Sequence, residues 1–255
     1  MDCICLTGLE QLLRAQGCSV ATVELRVWAV RAVMRFRGLG CARGLTTEDV
    51  RAVLAMRRWA PESRCALAAG VSAWVRFAGL PVDVPRVRAA PRQIPRPADP
   101  DGVVAALAAT TDPVLRAWIG LGRWAGLRAG EVARLLPSDV DLGRGWLTVR
   151  QGKGGRSRAL PIHRQLRPLL REVLLDGWWP SVEPSTVSVR VGVMLRRHRA
   201  GGRFHELRHR CLTDVAQSGG LLVAQKMAGH ANPSTTTRYT LLSDASLVAA
   251  VDAMA

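Results

Sequence analysis

Residues 203–239 read RFHELRHRCLTDVAQSGGLLVAQKMAGHANPSTTTRY and hold the only tyrosine of the chain and three of its five histidines. Leu207 and Leu212 belong to an apolar pattern at helical spacing, which predicts a helix packed against a core. His205 and Arg208 are three residues apart, so a helix places both side chains on one face, close enough to share a small anion. Such a pair is more often part of a solvated face, so a functional interpretation depends on the rest of the chain.

The chain is strongly basic. Its 36 Lys and Arg against 20 Asp and Glu leave a net charge of +16 over 255 residues, which favours an anionic partner such as nucleic acid. Only Lys153 and Lys226 are lysines, and an excess of arginine is also what the codon bias of a GC-rich genome produces. Residues 1–90 and 91–255 are each basic, so two modest domains could both line one duplex.

The cysteines and the first residues bound the cellular location. The six cysteines fall in no metal-ligand spacing, so we expect thiols of a reducing compartment rather than a zinc site. The opening residues, MDCICLTGLE, lack the basic and apolar regions of a signal peptide, and no run approaches the ~20 apolar residues of a membrane span. These features predict a cytoplasmic, nucleoid-associated protein without a membrane partner.

Residues 1–80 are predicted to form one helical domain. Four helices are expected: one that stops at Gly17, one over 20–37, one from a Thr46–Asp49 capping box to Trp59, and one with Pro61 in its first turn. The polar side of the second helix carries four arginines, namely Arg26, Arg31, Arg35 and Arg37. These are either an ordinary solvated face or contacts to DNA phosphates, and this region alone favours neither.

Prolines and arginines dominate residues 81–98, which can neither form a helix nor pair well as a strand, so this segment is predicted to be a linker. The second domain, 99–255, is predicted to be mostly helical with one small antiparallel sheet. Its strand-like runs GWLTVR and RSRALPI flank the glycine-rich turn QGKGG, which precedes the expected DNA-binding residue Arg156. Helices are predicted over 99–110, 113–126, a short stretch around Glu131, 163–176, 184–199, 204–218, 221–229, 233–242 and 244–254.

These residues suit one reaction if the fold brings them together. A tyrosine hydroxyl such as that of Tyr239 can attack a phosphodiester, and the planar forks of Arg128 and Arg208 can neutralise the charge on the non-bridging oxygens. The leaving 5′ oxygen needs a proton, which Lys153 at the hairpin turn can supply as general acid, although a lysine on a turn is usually only solvated.

Two histidines complete this set. The tyrosine hydroxyl has a pKa near ~10 and needs a base or electrostatic help at neutral pH. His205 and His230 are the candidates for that role or for hydrogen bonds to the phosphate. No carboxylate cluster typical of a magnesium site occurs, so we expect a reaction without metal, ATP or another cofactor.

These motifs together resemble the tyrosine recombinase (phage integrase) family. The matching segments, in chain order, are GLRAGEVARL at 126–135, QGKGGRSRALPI at 151–162, HELRH at 205–209, AGH at 228–230 and TTTRYT at 235–240. Six family positions occur in the family order over 112 residues, and the gaps of 22 and nine residues before and after the second histidine fit as well. The first 80 residues resemble the family only in length and helical character.

The resemblance implies a role for each matching residue: Tyr239 as nucleophile, Arg128 and Arg208 as phosphate clamp, Lys153 as general acid, His205 as base or proton shuttle, His230 as phosphate donor and Glu131 as orienting residue. It implies a mainly α fold, with a four-helix, SAM-like core-binding bundle joined to a mostly helical catalytic domain with a small antiparallel sheet. Both domains would close around double-stranded DNA.

The resemblance also implies site-specific recombination through a 3′-phosphotyrosine, with a homo-tetramer joining two DNA sites and with room for accessory DNA-bending or directionality proteins. Nothing precedes the first bundle in this sequence, so we expect a simpler recombinase or a compact integrase of a mobile element, without an N-terminal arm-binding domain. Three alternatives remain: a type IB topoisomerase, a telomere resolvase, or a DNA-binding regulator that keeps the fold but not the reaction.

Overall fold

The computed structural model of the chain describes residues 5–56, 58–88, 96–150, 157–175 and 181–229. The chain divides into two compact units, Met1–Gln93 and Ile94–Ala255. The described part is mainly helical with one small antiparallel sheet, which confirms the predicted fold class. No helix within the described ranges is long and apolar enough to cross a membrane.

The described residues of the N-terminal unit form four α-helices and a short 3-10 turn: α1 Cys5–Ala15, α2 Val20–Arg37, the turn Ala42–Gly44, α3 Thr47–Ala55 and α4 Pro61–Ala78. The predicted capping box is present, because Thr46 Oγ1 accepts from the backbone N of Asp49 at 3.2 Å and the Asp49 carboxylate accepts from the backbone N of Thr46 at 3.0 Å. The helix that starts there ends four residues before the predicted Trp59, because the chain turns extended to enter α4 at Pro61.

One tryptophan anchors the core of this bundle. The ring of Trp74 on α4 is fully buried among residues of α1 and α2, and its Nε1 donates to the carbonyl of Ala42 at 3.0 Å. Aromatic burial of this size stabilises a small domain strongly, and the donated hydrogen bond removes the cost of burying the indole N–H.

Residues 81–88 follow α4 without regular secondary structure and pack against the N-terminal unit. Val82, Val84 and Val87 contact its apolar core. The backbone N of Asp83 donates to Thr47 Oγ1 at 2.9 Å, and the Asp83 carboxylate pairs with Arg51 at 3.0 Å. The first part of the proline-rich segment therefore belongs to the bundle that precedes it.

The described part of the C-terminal unit contains six helices and three strands: α5 Pro100–Ala109, α6 Pro113–Trp124, α7 Ala129–Ala133, β1 Val140–Asp141, β2 Trp146–Val149, β3 Arg158–Pro161, α8 Leu166–Leu175, α9 Pro184–Arg197 and α10 Phe204–Ala228. Helix α6 lies at the centre and packs against both α8 and α10. Its apolar residues Trp118, Ile119 and Leu121 are buried, which explains why this helix reads as almost continuously hydrophobic.

The sheet has the order β1-β2-β3 and is antiparallel throughout. Strands β2 and β3 form the predicted hairpin, with Val149 opposite Arg158 in the register. Strand β1 was not predicted, since two residues are too few to show a period of two.

The two helices predicted over 204–218 and 221–229 both occur, as the two halves of α10. Between them Gly220 has a non-helical backbone with φ 82 and ψ 169, so Phe204–Ala228 consists of two helical segments joined at a kink. Helices α6 and α9 each end two residues earlier than predicted, and α8 begins three residues later than predicted. The helices predicted over 233–242 and 244–254 lie outside the described residues.

Candidate active site

Glu131 is the centre of an arginine cluster in the C-terminal unit. Its side chain is only 2% exposed and lies in the first turn of α7. One carboxylate oxygen, Oε2, accepts from the backbone N of Arg128 at 2.9 Å, and Oε1 accepts from Arg128 Nη1 at 2.9 Å. Arg158 of β3 donates Nη1 to Oε1 and Nη2 to Oε2, each at 2.9 Å. One carboxylate thus holds guanidinium groups from two distant parts of the chain.

The environment of Glu131 keeps its carboxylate charged. Burial opposes ionisation, but hydrogen bonds from Arg158 and the Arg128 backbone, together with the charges of both arginines, outweigh it and lower the pKa of Glu131 to about 2. Arg128, Arg158 and Arg208 surround this single negative charge. The cluster is therefore positive overall and suits an anionic ligand.

Arg208 reaches the same cluster from α10. Its side chain is fully buried, with Nη1 donating to the carbonyl of Gly126 and Nη2 donating to the carbonyl of Ala228 at 2.8 Å. Nη1 also lies 3.9 Å from Glu131 Oε2. Arg128, by contrast, has a side chain that is 26% exposed. The two arginines predicted as the phosphate forks both reach Glu131, but Arg128 is more exposed to solvent than Arg208.

The loop between α6 and α7 explains how Arg128 and Arg208 meet. Gly126 has φ +62, in the left-handed region that favours glycine, and the turn that it makes leaves its carbonyl facing Arg208. A Cβ at this position would also lie 3.2 Å from the sulfur of Cys211 on α10. Two residues later Arg128 caps α7 with an extended backbone, which directs Glu131 back toward it.

His205 stands beside the cluster on the exposed side of α10. The surrounding protein desolvates its ring, and this desolvation together with the charges of Arg208 and Arg128 lowers the pKa of His205 to about 4. The ring of His209, one turn later, lies 4.4 Å away and edge-on to it. His205 is therefore neutral near pH 7 and can accept a proton, whereas a charged imidazolium could only donate one.

The structure thus brings Arg128, Glu131, Arg208 and His205 into one region, and it adds Arg158, which the sequence reasoning missed. The sequence does contain a signal for Arg158. It lies two residues before the buried Leu160, so both side chains are on the inward face of β3. A charged side chain on the buried face of a strand requires a buried partner. Among the described residues, no group of three or more His, Cys, Asp or Glu side chains is placed to hold a metal ion.

Four of the predicted site residues lie outside the described residues, namely Lys153, Arg156, His230 and Tyr239. For Lys153, Arg156 and His230, the nearest described residues of the chain belong to the cluster region. Strand β3 begins at Arg158, five residues after Lys153, and α10 ends at Ala228 with the cap Gly229 directly before His230.

The remaining predicted site residues lie on α2 of the N-terminal unit. Arg31 is 3.9 Å from the carboxylate of Glu10, and Arg37 donates to Asp49 at 2.7 Å. The other two, Arg26 and Arg35, form no ion pair with any described residue. Two of the four arginines thus already balance an acidic side chain, and this surface remains accessible to solvent.

Comparison with known proteins bears directly on this site. The model of the phage integrase family matches residues 100–246, which include the arginine cluster and all the motifs quoted above. The chain belongs to the phage integrase family. Tyrosine recombinase XerC of Salmonella typhi is 32% identical over 272 residues, covering 98% of this chain and 84% of that protein. Tyrosine recombinase XerA of Thermococcus kodakarensis is 29% identical over 253 residues, covering 91% of this chain and 88% of that protein.

The fold of the family is also visible in solved structures. A lambda integrase tetramer bound to a Holliday junction has a TM-score of 0.69 and 21% identity, covering 92% of this chain and 76% of that one. The family resemblance inferred from the motifs is therefore confirmed, and the chain is a tyrosine site-specific recombinase.

Proposed function

We propose that this recombinase cleaves and rejoins double-stranded DNA at specific sites, with Tyr239 as the nucleophile. The Tyr239 oxygen forms a bond to phosphorus while the bond from phosphorus to the 5′ oxygen breaks, which leaves a 3′-phosphotyrosine and a free 5′ hydroxyl. A 5′ hydroxyl from a partner duplex reverses the step and releases the tyrosine. Each step exchanges one phosphoester for another, so strand exchange needs no ATP.

The arginine cluster around Glu131 is the observation that carries this proposal. It gathers Arg128 and Arg208, which are 80 residues apart in sequence, and fixes Arg128 through two hydrogen bonds from its backbone and side chain to Glu131. Preorganised positive groups stabilise the charge that develops on phosphoryl oxygens in the transition state without having to reorganise. A solvated basic surface would not need a buried carboxylate at its centre.

The two clamp arginines would contact the phosphate at different stages. Arg128 is partly exposed and can offer its free edge to DNA on arrival. Arg208 is fully buried and engaged with two backbone carbonyls, so its contact with the phosphate requires neighbouring atoms to move when DNA enters. We therefore expect Arg208 to act mainly in the transition state rather than in initial binding.

Three further groups would handle protons. Lys153 donates a proton to the departing 5′ oxygen, and His205, which is neutral at pH 7, accepts one from the tyrosine hydroxyl or relays it. His230 hydrogen-bonds the phosphate, and it follows the cap of the helix whose last carbonyl binds Arg208.

The wider organisation follows from the same proposal. Residues 1–80 act as the core-binding domain and 99–255 as the catalytic domain, and residues 81–98 link them, although the first part of this segment, 81–88, packs on the preceding bundle. The division of the chain after Gln93 supports a boundary within 81–98. Arg26, Arg31, Arg35, Arg37 and Arg156 contact DNA phosphates. A homo-tetramer joins two sites during synapsis in the nucleoid, as supported by the lambda integrase tetramer on a Holliday junction. Accessory DNA-bending or directionality proteins would act on that assembly.

A nicked suicide site, from which the cleaved strand end is lost, tests the proposal. Wild-type protein should accumulate a covalent adduct, and Tyr239→Phe should form none while binding the site with unchanged affinity, because it loses one hydroxyl and no charge. Exchange between two labelled sites separates recombination from topoisomerase or hairpin-forming activity. Adducts that persist in Tyr239→Phe would refute the assignment, since the chain has no second tyrosine.

A further inference from the structure

We propose that Arg158 is a positioning residue that fixes strand β3, which follows the predicted turn with Lys153, against the arginine cluster and the end of α10. This inference rests on the proposed function, because it assigns a task to Arg158 in the same cleavage step. Arg158 is the first residue of β3 and follows Lys153 by five residues, so its contacts set where the hairpin strand leaves the body of the unit.

The side chain of Arg158 joins three separate segments. Its Nη1 and Nη2 donate to the two carboxylate oxygens of Glu131 at 2.9 Å each, and its Nε donates to the carbonyl of Met227 at 3.0 Å. The side chain is only 11% exposed. A planar guanidinium with three engaged nitrogens has little freedom, so β3, α7 and the last turn of α10 keep one relative placement.

The end of α10 is shaped to receive this side chain. Gly229 caps the helix with φ +64, and a Cβ at this position would lie 3.2 Å from Arg158 Cδ and 3.4 Å from its Nη1. The backbone therefore passes directly over the Arg158 side chain one residue before His230. The last carbonyls of a helix have no hydrogen-bond partner within it. Here Arg158 donates to the carbonyl of Met227, and Arg208 donates to the carbonyl of Ala228.

A structural ion pair alone would not need this connectivity. Every segment that Arg158 joins lies within five residues of a position assigned to the chemistry: Lys153 before β3, Arg128 directly before α7, and His230 after α10. Since a general acid must lie within hydrogen-bond reach of the leaving oxygen, a small shift of β3 removes the proton donor from its place. Arg158 therefore acts through Lys153 and does not itself touch the phosphate.

The experiment uses two suicide substrates, one with the normal bridging 5′ oxygen and one with sulfur in its place, because a thiolate leaves without a proton. Arg158→Gln should cleave the oxygen substrate roughly 10- to 100-fold more slowly than wild type, which is the scale of a misplaced catalytic group. It should cleave the sulfur substrate within about threefold of wild type and bind the site unchanged. Loss of cleavage on both substrates, or on neither, would overturn the inference.

Arg150→Gln is the matched control. Arg150 follows the other hairpin strand and pairs with the buried carboxylate of Asp139, so its removal breaks a comparable ion pair on the same hairpin. We expect both substrates to be cleaved within about threefold of wild type. If Arg150→Gln also cleaved the oxygen substrate slowly and the sulfur substrate normally, the slow cleavage would result from general loosening of the hairpin rather than from the loss of the Arg158 contacts.

Two further variants keep the test decisive. If Arg158→Gln does not fold, as judged by its thermal melt, Arg158→Lys replaces it, since a lysine keeps the charge but loses the fork and the bond to Met227. Its expected loss is about tenfold and again confined to the oxygen substrate. Lys153→Ala tests the underlying function separately. If the sulfur substrate restores cleavage by Lys153→Ala but not by the Arg158 variants, only the positioning role is rejected. If it does not restore cleavage by Lys153→Ala, the general-acid role of Lys153 and the positioning role of Arg158 are both rejected.

Discussion

The arginines of α2 and those around Glu131 are the same residue type in two different settings. On α2, Arg31 and Arg37 have side chains that are 40% and 38% exposed, and they pair with Glu10, which is 32% exposed, and Asp49, which is 10% exposed. Around Glu131, Arg208 and Arg158 are 0% and 11% exposed and share one buried carboxylate. Exposed charges act at long range and are screened by salt, whereas buried ones act through fixed geometry. Under the proposed function, we therefore expect burial to separate arginines that attract DNA from arginines that act in its cleavage.

The largest effect that separates the two settings is expected for Arg208→Lys. The change keeps the charge but loses the planar fork, and removing one preorganised donor costs roughly 10² to 10³ in rate. Single-turnover cleavage at saturating protein should fall by that factor while the dissociation constant for the site changes little. Arg210→Lys on the same helix, whose guanidinium binds Ala98 and Asp214, is the matched control and should cleave normally. If binding and cleavage were reduced equally, Arg208 would serve only to hold the DNA backbone.

The next effect concerns the carboxylate that holds the buried arginines. The pKa of Glu131 is lowered from 4.5 to about 2, and at ~1.36 kcal/mol per unit this corresponds to about 3 kcal/mol of folding free energy. A lowered carboxyl pKa stabilises the folded state above the unfolded pKa, and this contribution disappears as pH falls through about 2. Denaturant melts should therefore show Glu131→Gln less stable than wild type at pH 7, with the difference shrinking below pH ~4.5. A difference independent of pH would contradict this account.

The smallest effect is expected on α2. If Arg26 and Arg35 each contact one phosphate, the double alanine variant should bind DNA with a weaker salt dependence. The slope of log binding constant against log salt concentration should be less negative by about two. Its cleavage rate at saturating protein should stay at the wild-type value. Arg51→Ala, whose exposed side chain pairs with Asp83, is the control for loss of charge. An unchanged slope would make the α2 arginines an ordinary solvated face.

Many elements of the fold could be predicted from the sequence, because they depend on interactions between neighbouring residues. The Thr46–Asp49 capping box, the Pro61 start and the two paired strands that flank QGKGG each depend on a few adjacent residues, and all three occur in the structure. The presence of Arg128, Glu131 and Arg208 in one cluster followed from the order of the family motifs, and their proximity is now seen directly.

The contacts between residues that are distant in sequence could not be predicted from it. Nothing in the residues around Arg208 shows that Gly126 and Ala228 would enclose it, since both carbonyls come from other parts of the chain. Arg158 was passed over because its partners are 27 and 69 residues away. Side-chain identity reveals which chemistry is available, whereas access and positioning depend on tertiary packing.

The most direct test of the account is to identify the residue that becomes linked to DNA. Wild-type protein trapped on a nicked suicide site is digested with protease and nuclease, and the modified peptide is sequenced by mass spectrometry. We expect a nucleotide joined through its 3′ phosphate to Tyr239, with a free 5′ hydroxyl on the released strand. A linkage to any other residue, or through a 5′ phosphate, would contradict it.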